Sequence, residues 1–212
     1  MKLYRGPHTC AIGTHILLEE IGKPYATKEI DVAGGAMHEP SFKDILPKGK
    51  VPALERDDGS VLTEYGAIAV WLARTNPEAG LLPSDAEAEA RTLEIMDYVV
   101  GTVHAQGFGR LFLTERYEPQ DMLHGTFKLG QGKVRRQGRE IIEQGFGLLD
   151  RQLAGRPYAT GDAFSVADTA LFYVERWAPQ VDIPLPPNLA GHFERMTRRP
   201  AVARVRKIWG EA

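Results

Sequence analysis

One cysteine in 212 residues excludes an internal disulfide and any zinc site built from several thiolates. No stretch approaches the roughly 18 consecutive apolar residues of a membrane span. The opening decapeptide, MKLYRGPHTC, has no apolar run of the secretory type. Charge is nearly balanced, with 26 Lys and Arg against 28 Asp and Glu, so bulk electrostatics favour neither nucleic acid nor an anionic membrane. Internal repeats and low-complexity tracts are missing as well. Together these absences point to a chain at work in a reducing cytoplasm, with no metal, no nucleic acid and no membrane partner. What is present, 43% hydrophobic and 25% charged residues, is an ordinary globular composition. The length suits one large domain or two compact ones.

The first part of the chain alternates strand-like and helix-like segments. Lys2 to Tyr4 reads as a strand broken at Pro7. From Cys10 to Ile21 the apolar positions Ile12, Ile16, Leu17 and Ile21 trace a helical face, and Gly22 with Pro24 stops it. YATKEIDV (25–32) reads as a second strand, and a short helix fits near 40–45. VPALERDDGSVLT (51–63) forms two short runs around Asp57-Asp58-Gly59, a hairpin signal. Tyr65 to Arg74 is a helix entered through Thr63 and Glu64. Pro77, Gly80 and Pro83 then mark a linker.

Beyond it no convincing strand appears. Ser84 and Glu87 have capping-box spacing, opening a long helix in which Leu93, Met96, Val100 and Val103 keep a 3-4-3 rhythm through His104. Ile141, Ile142, Phe146, Leu149 and Leu153 mark another helix, with glycines at 138, 145 and 147 that each weaken it by about 1 kcal/mol. Ser165 and Asp168 open a helix that ends at Pro179, and two further helices fit 188–197 and 200–209. Arg135, Arg136 and Arg139, with Arg198, Arg199, Arg204, Arg206 and Lys207, read as solvated helix faces. The order is an α/β domain followed by an all-helical one.

The lone thiol, Cys10, stands where a helix begins. A free thiol with pKa ~8.5 is only about 3% thiolate at pH 7, and moving it to ~6.5 takes roughly 2.7 kcal/mol. A helix N-terminus supplies about 0.3–1 kcal/mol, so backbone N–H donors or a second side chain must add the rest. Tyr4, Thr9, Thr14, His8, His15 and His104 are the candidates, and spacing does not choose among them. Val51-Pro52 precedes a strand, where an X-Pro bond adopts cis at little cost and leaves backbone groups free to pair with an extended peptide. Glu64 and Tyr65 open a helix whose N–H groups can hold a carboxylate, with the Glu64 side chain beside them for an ammonium. Those two needs coincide in an α-amino acid.

The segment MKLYRGPHTCAIGTHILLEEIGKPY, followed by LPKGKVPAL, LTEYGAIAVWLA, YVVGTVH, FSVADTALF and RWAPQV, resembles the cytosolic glutathione transferases, and among them the bacterial beta class. The likeness spans nearly the whole chain in the expected order. It implies a thioredoxin-like glutathione-binding domain over 1–77, a linker over 78–85 and an all-α domain over 86–212 that carries the electrophile site. It further implies that Cys10 meets glutathione's sulfur and that Val51, ahead of a cis Pro52, pairs with the cysteinyl backbone. By the same resemblance Glu64 and the Tyr65 N–H hold the γ-glutamyl end, and His104 approaches the sulfur from the helical domain. Asp97 becomes a polar contact of a homodimer. Phe108, Phe112 and Trp177 become the electrophile site, with Cys10 and His104 catalytic and glutathione the co-substrate.

Four departures from the family pattern stand out. Leu46 occupies the place of an Asn, Tyr65 that of a small residue where its ring would narrow the glutathione pocket, and AGGA (33–36) lacks the usual cation. The segment after His104, AQGFGRLF, is one residue longer than the family pattern, which predicts a helical bulge. The implied activity is conjugation of glutathione to small electrophiles. Thiol-disulfide or peroxide reduction through Cys10, or a non-catalytic binding module, are the alternatives.

Overall fold

The computed structural model describes residues 1–118 and 132–211; the helical span expected over 86–212 includes positions outside these. Four strands, β1 (Lys2–Arg5), β2 (Ala26–Glu29), β3 (Ala53–Glu55) and β4 (Val61–Thr63), form one sheet in the order β2-β1-β3-β4. β1 and β2 are parallel; β1–β3 and β3–β4 are antiparallel. Side chains alternate across a pleated strand, and the register uses that period on both faces. Leu3 pairs with Leu54 and turns to the main core, whereas Tyr4 pairs with Ala53 and turns to a smaller one. That smaller core is closed by Phe42 and Leu46, so Leu46 serves as packing beneath the sheet.

Helix α1 (Ala11–Ile21) ends as its sequence demands, with Gly22 at φ 71° and its N–H on Leu18 O at 3.1 Å. A short α2 (Pro40–Lys43) and α3 (Tyr65–Thr75) complete the α/β part. In the helical part α4 (Ala86–Tyr98) is capped by Asp85, whose carboxylate accepts the Ala88 N–H at 2.9 Å. The expected Ser84–Glu87 box does not form, because the chain enters the helix one residue later. The bulge expected after His104 is larger and earlier: Val99–Phe108 is π-helical throughout and contains His104. It runs on into α5 (Gly109–Phe112).

Helix α6 (Lys133–Leu153) begins well before the apolar rhythm that announces it. Its glycines cost helix propensity but allow contact. A Cβ on Gly138 would stand 2.9 Å from Gly107 O, a distance no side chain tolerates against backbone. Several arginines that read as solvated bind carbonyls or carboxylates instead. Arg139 Nη2 donates to Val181 O at 2.7 Å, and Arg199 Nε to Glu20 at 2.8 Å.

The innermost element is α7 (Val166–Trp177), every residue of which is buried. Ser165 and Asp168 form its capping box, with the Ser165 N–H on Asp168 Oδ2 at 2.7 Å. The other carboxylate oxygen of Asp168 accepts the Ala159 N–H at 2.7 Å and faces His192 Nε2 at 3.1 Å. His192, on α8 (Pro187–Arg198), has its Nδ1 2.9 Å from Glu175. Two carboxylates and one imidazole therefore share a site closed to solvent. Helix α9 (Pro200–Ile208) packs on α1 and α8.

Burial opposes a charge on His192, yet the carboxylates of Glu175 and Asp168 push it up to about 10. The stability this protonated ring contributes is fully present below about pH 6.5, the ordinary histidine value, and is lost as pH rises through about 10. The urea midpoint is therefore expected to fall between pH 7 and pH 10. His192→Asn should remove most of that slope and cost ~3–5 kcal/mol by stranding Glu175; equal slopes in the two proteins would refute the assignment.

Candidate active site

Cys10 occupies the position immediately before α1, with φ −64° and ψ −12°. The paired part of β3 begins at Ala53, one residue past the cis Val51–Pro52 bond. Val51 thus lies beyond the ladder, and its carbonyl is 3.9 Å from Cys10 Sγ. The α3 N-terminus opens at Glu64, which takes φ 72° and ψ 125°. That left-handed φ is uncommon for a residue with a side chain and is typical of sites where geometry outweighs strain. The exposed Glu64 carboxylate meets Lys48 Nζ at 2.8 Å, which holds it below the usual carboxylate range.

Tyr65 does not narrow this opening. Its ring turns into the seam between the two parts, 5% exposed, with the hydroxyl 2.6 Å from Thr169 Oγ1 and an edge contact to Tyr173 at 5.2 Å. Gly13 makes room for it: a Cβ there would stand 2.7 Å from the Tyr65 hydroxyl and 2.9 Å from Thr169 O. The backbone N–H of Tyr65 stays at the helix start, where the expectation put it, while the ring is used for packing.

From the helical side His104 contributes an imidazole with Nδ1 3.1 Å from the Tyr173 hydroxyl and its ring 4.9 Å from that of Trp177. Burial, aided by Lys50, lowers its pKa to about 4, so it is neutral at physiological pH. Phe108 is fully buried and Trp177 is 3% exposed, whereas Phe112 is 44% exposed. Phe112 stacks on Phe108 at 5.6 Å and meets Trp177 edge-on at 5.6 Å. Of the three rings expected to line an apolar site, only Phe112 is open to solvent, with the other two behind it. Asp97 is exposed beside the first turn of α3 in the same chain, 3.9 Å from where a Cβ on Gly66 would be.

The other candidates around the thiol point elsewhere. The Tyr4 hydroxyl donates to Glu55 at 2.6 Å. His15 accepts the Trp209 indole N–H at 2.9 Å and faces the Tyr25 hydroxyl at 2.8 Å. It also lines a surface hollow of about 500 Å³ that shares no residue with the Cys10 cluster. Thr9 Oγ1 donates to Gly6 O at 2.7 Å, and Thr14 is fully buried. Two residues that spacing did not single out, Tyr173 and Arg176, join the cluster from α7. The signal for them was weak because a helix buried all round shows no face.

Burial pushes the Cys10 thiol up to about 12, against the lowering effects of its own backbone N–H and of the Arg176 guanidinium. The arrangement is an anion-ready backbone site next to a protonated thiol. It offers an exposed carboxylate, a helix start, a residue outside the strand ladder and a neutral histidine. No cluster of metal-ligating side chains occurs among the described residues, and no described helix is long and apolar enough to cross a membrane.

Residues 9–75 match the family described as glutathione S-transferase, N-terminal domain, and residues 132–207 its C-terminal domain. The chain is 32% identical to glutathione S-transferase GstA of Escherichia coli O157:H7, over 95% of each. It is similar to a glutathione transferase homologue from Sulfitobacter solved with bound glutathione, at 30% identity and TM-score 0.89, covering 100% of this chain and 98% of that one. It is also similar to the bacterial beta-class enzyme of Sphingomonas chungbukensis, at 29% identity, TM-score 0.83 and full coverage of both.

Only the thiolate reacts with alkylating agents. Without ligand at pH 7.5, Cys10 is expected to react with iodoacetamide at least about a hundredfold more slowly than the same protein unfolded in urea, given the two thiolate fractions. Mass spectrometry of the modified peptide reads the ratio, and equal rates in the two states would show that burial does not control this thiol.

Proposed function

The chain belongs to the glutathione S-transferase family, and we propose that it joins glutathione's sulfur to small electrophiles through the cluster around Cys10. The observation that carries this reading is the approach of Val51 O to Cys10 Sγ at 3.9 Å beside the start of α1, with the exposed Glu64 carboxylate at the start of α3. A γ-glutamyl tripeptide has a matching set of needs. Its terminal ammonium suits the Glu64 carboxylate, in competition with Lys48, and its α-carboxylate suits the N–H groups at the start of α3. Its central backbone suits the N–H of Val51 and its C=O, from which the Cys10 S–H would turn away, which leaves its sulfur at the start of α1.

There the glutathione thiol loses its proton to solvent. The resulting thiolate attacks an electrophilic carbon, a C–S bond forms, and the leaving group departs with the electron pair of the bond it breaks. Cys10, held protonated by burial, is suited to donate its S–H to that thiolate rather than to attack. Neutral His104 adds a hydrogen-bonding group without charge. This favours conjugation over a redox route through Cys10, since a protonated thiol is a poor nucleophile. The exposed ring of Phe112 is the apolar contact offered to the electrophile.

By the same resemblance the working form is a beta-class homodimer in the cytoplasm, detoxifying reactive compounds, with Asp97 near the subunit boundary. Sedimentation at micromolar concentration tests the dimer.

Turnover of an activated aryl halide with glutathione is expected from the wild type, with the thioether as product. Glu64→Gln should raise KM for glutathione about tenfold or more, the scale of a charge-assisted hydrogen bond, and change kcat little. Cys10→Ala should retain conjugation within about tenfold of wild type. Loss of all turnover in that variant, with a stable glutathione adduct on wild-type Cys10, would replace conjugation by thiol exchange.

A further inference from the structure

Two consecutive residues at the end of α7 reach across the domain seam onto two consecutive carbonyls of the segment leading into Cys10. Trp177 Nε1 donates to His8 O at 2.9 Å, and Arg176 Nη2 donates to Thr9 O at 3.0 Å. The segment is one that needs holding, because His8 has φ 58°, a left-handed conformation costly for a residue with a Cβ. Arg176 is itself fixed. Its Nη1 meets Glu211 Oε1 at 2.6 Å with the side chain 7% exposed, and its guanidinium lies 5.5 Å from the Trp209 ring.

A trans peptide is planar, with C=O and N–H on opposite sides. Among the described residues only Val51–Pro52 is cis, so the His8–Thr9 and Thr9–Cys10 peptides are trans. A Thr9 carbonyl held on Arg176 therefore turns the Cys10 N–H the other way, and the influence of that N–H on its own thiol is to lower the thiol's pKa. The Trp177 bond fixes the preceding plane in the same manner.

Resting on the reading that glutathione's sulfur sits at the start of α1, we propose that Arg176 and Trp177 are positioning residues: they lock the two peptide planes ahead of Cys10 so that its N–H faces the sulfur, and Arg176 sets a buried positive charge behind it. Neither residue touches the reacting atoms in this role. The helical domain thus helps to set the acidity of a thiol bound to the other domain.

The test is the acid limb of kcat/KM for conjugation, checked by ultraviolet titration of the thiolate of bound glutathione. Arg176→Met is expected to move the limb about one pH unit to the alkaline side, a tenfold loss of thiolate below it. Arg176→Lys, which keeps the charge and one donor, should recover more than half of that shift. Trp177→Phe should move the limb in the same direction by less. The shift should be the same for two unrelated electrophiles, since a merely structural or apolar role would alter rates and leave the limb in place.

A folded Arg176→Met with the wild-type limb overturns the proposal. Should that variant fail to fold, an unshifted limb in Trp177→Phe overturns it instead. If the wild type neither binds nor uses glutathione, the parent reading fails separately. The pH dependence of Cys10 alkylation in the free protein then decides, with slower reaction of Arg176→Met or Trp177→Phe at each pH supporting the locked plane and unchanged rates refuting it.

Discussion

Helix α7 is enclosed on every side, and an enclosed helix has to satisfy its polar groups without water. It does so with the Ser165–Asp168 cap at its start and the Asp168–His192–Glu175 cluster along its flank. With those demands met from within the helical part, the remaining face is free to meet the α/β part. Thr169, Arg176 and Trp177 act there on Tyr65 and the segment before Cys10, while Tyr173 meets both Tyr65 and, within the helical part, His104. The seam, and with it the placement of the sulfur site, depends on this one buried rod.

The chemistry assigned to the site relies on main-chain groups more than on side-chain bases. His104 is neutral and weakly basic, and Cys10 is kept protonated. Stabilising a thiolate by about two pK units needs roughly 2.7 kcal/mol, of which a helix dipole typically gives about 0.3–1 kcal/mol and no more than about 2. Hydrogen bonds to a charged acceptor contribute about 1.5–3 kcal/mol. Correctly aimed N–H and S–H donors therefore decide whether the sulfur ionises. This is why the orientation of two peptide planes matters as much as the identity of the residue beside them.

Glycine and aromatic residues are placed for contact between elements. Gly13 admits the Tyr65 ring, and Gly138 lets α6 press on the π-helical segment that carries His104. In both places a residue that weakens a helix taken alone allows a closer approach of two helices. The propensity loss of about 1 kcal/mol is small beside the cost of overpacking that a larger residue would impose.

The sequence by itself determined whatever depends on neighbours along the chain. The helix stop at Gly22, the hairpin around Gly59, the Ser165–Asp168 start and the family likeness were all readable, because caps, turns and strand periods are local. Even there the entry to α4 moved by a residue, since Asp85 rather than Ser84 caps it, on the Ala88 N–H. Only the tertiary structure decided which way Tyr65 faces, that Leu46 is core, that Phe108 and Trp177 are covered while Phe112 is open, and that Arg176 bonds to Thr9, 167 residues away in the chain. Those outcomes depend on what packs against each side chain from distant parts of the chain, and a helix buried all round leaves no periodic trace of which residue meets which partner.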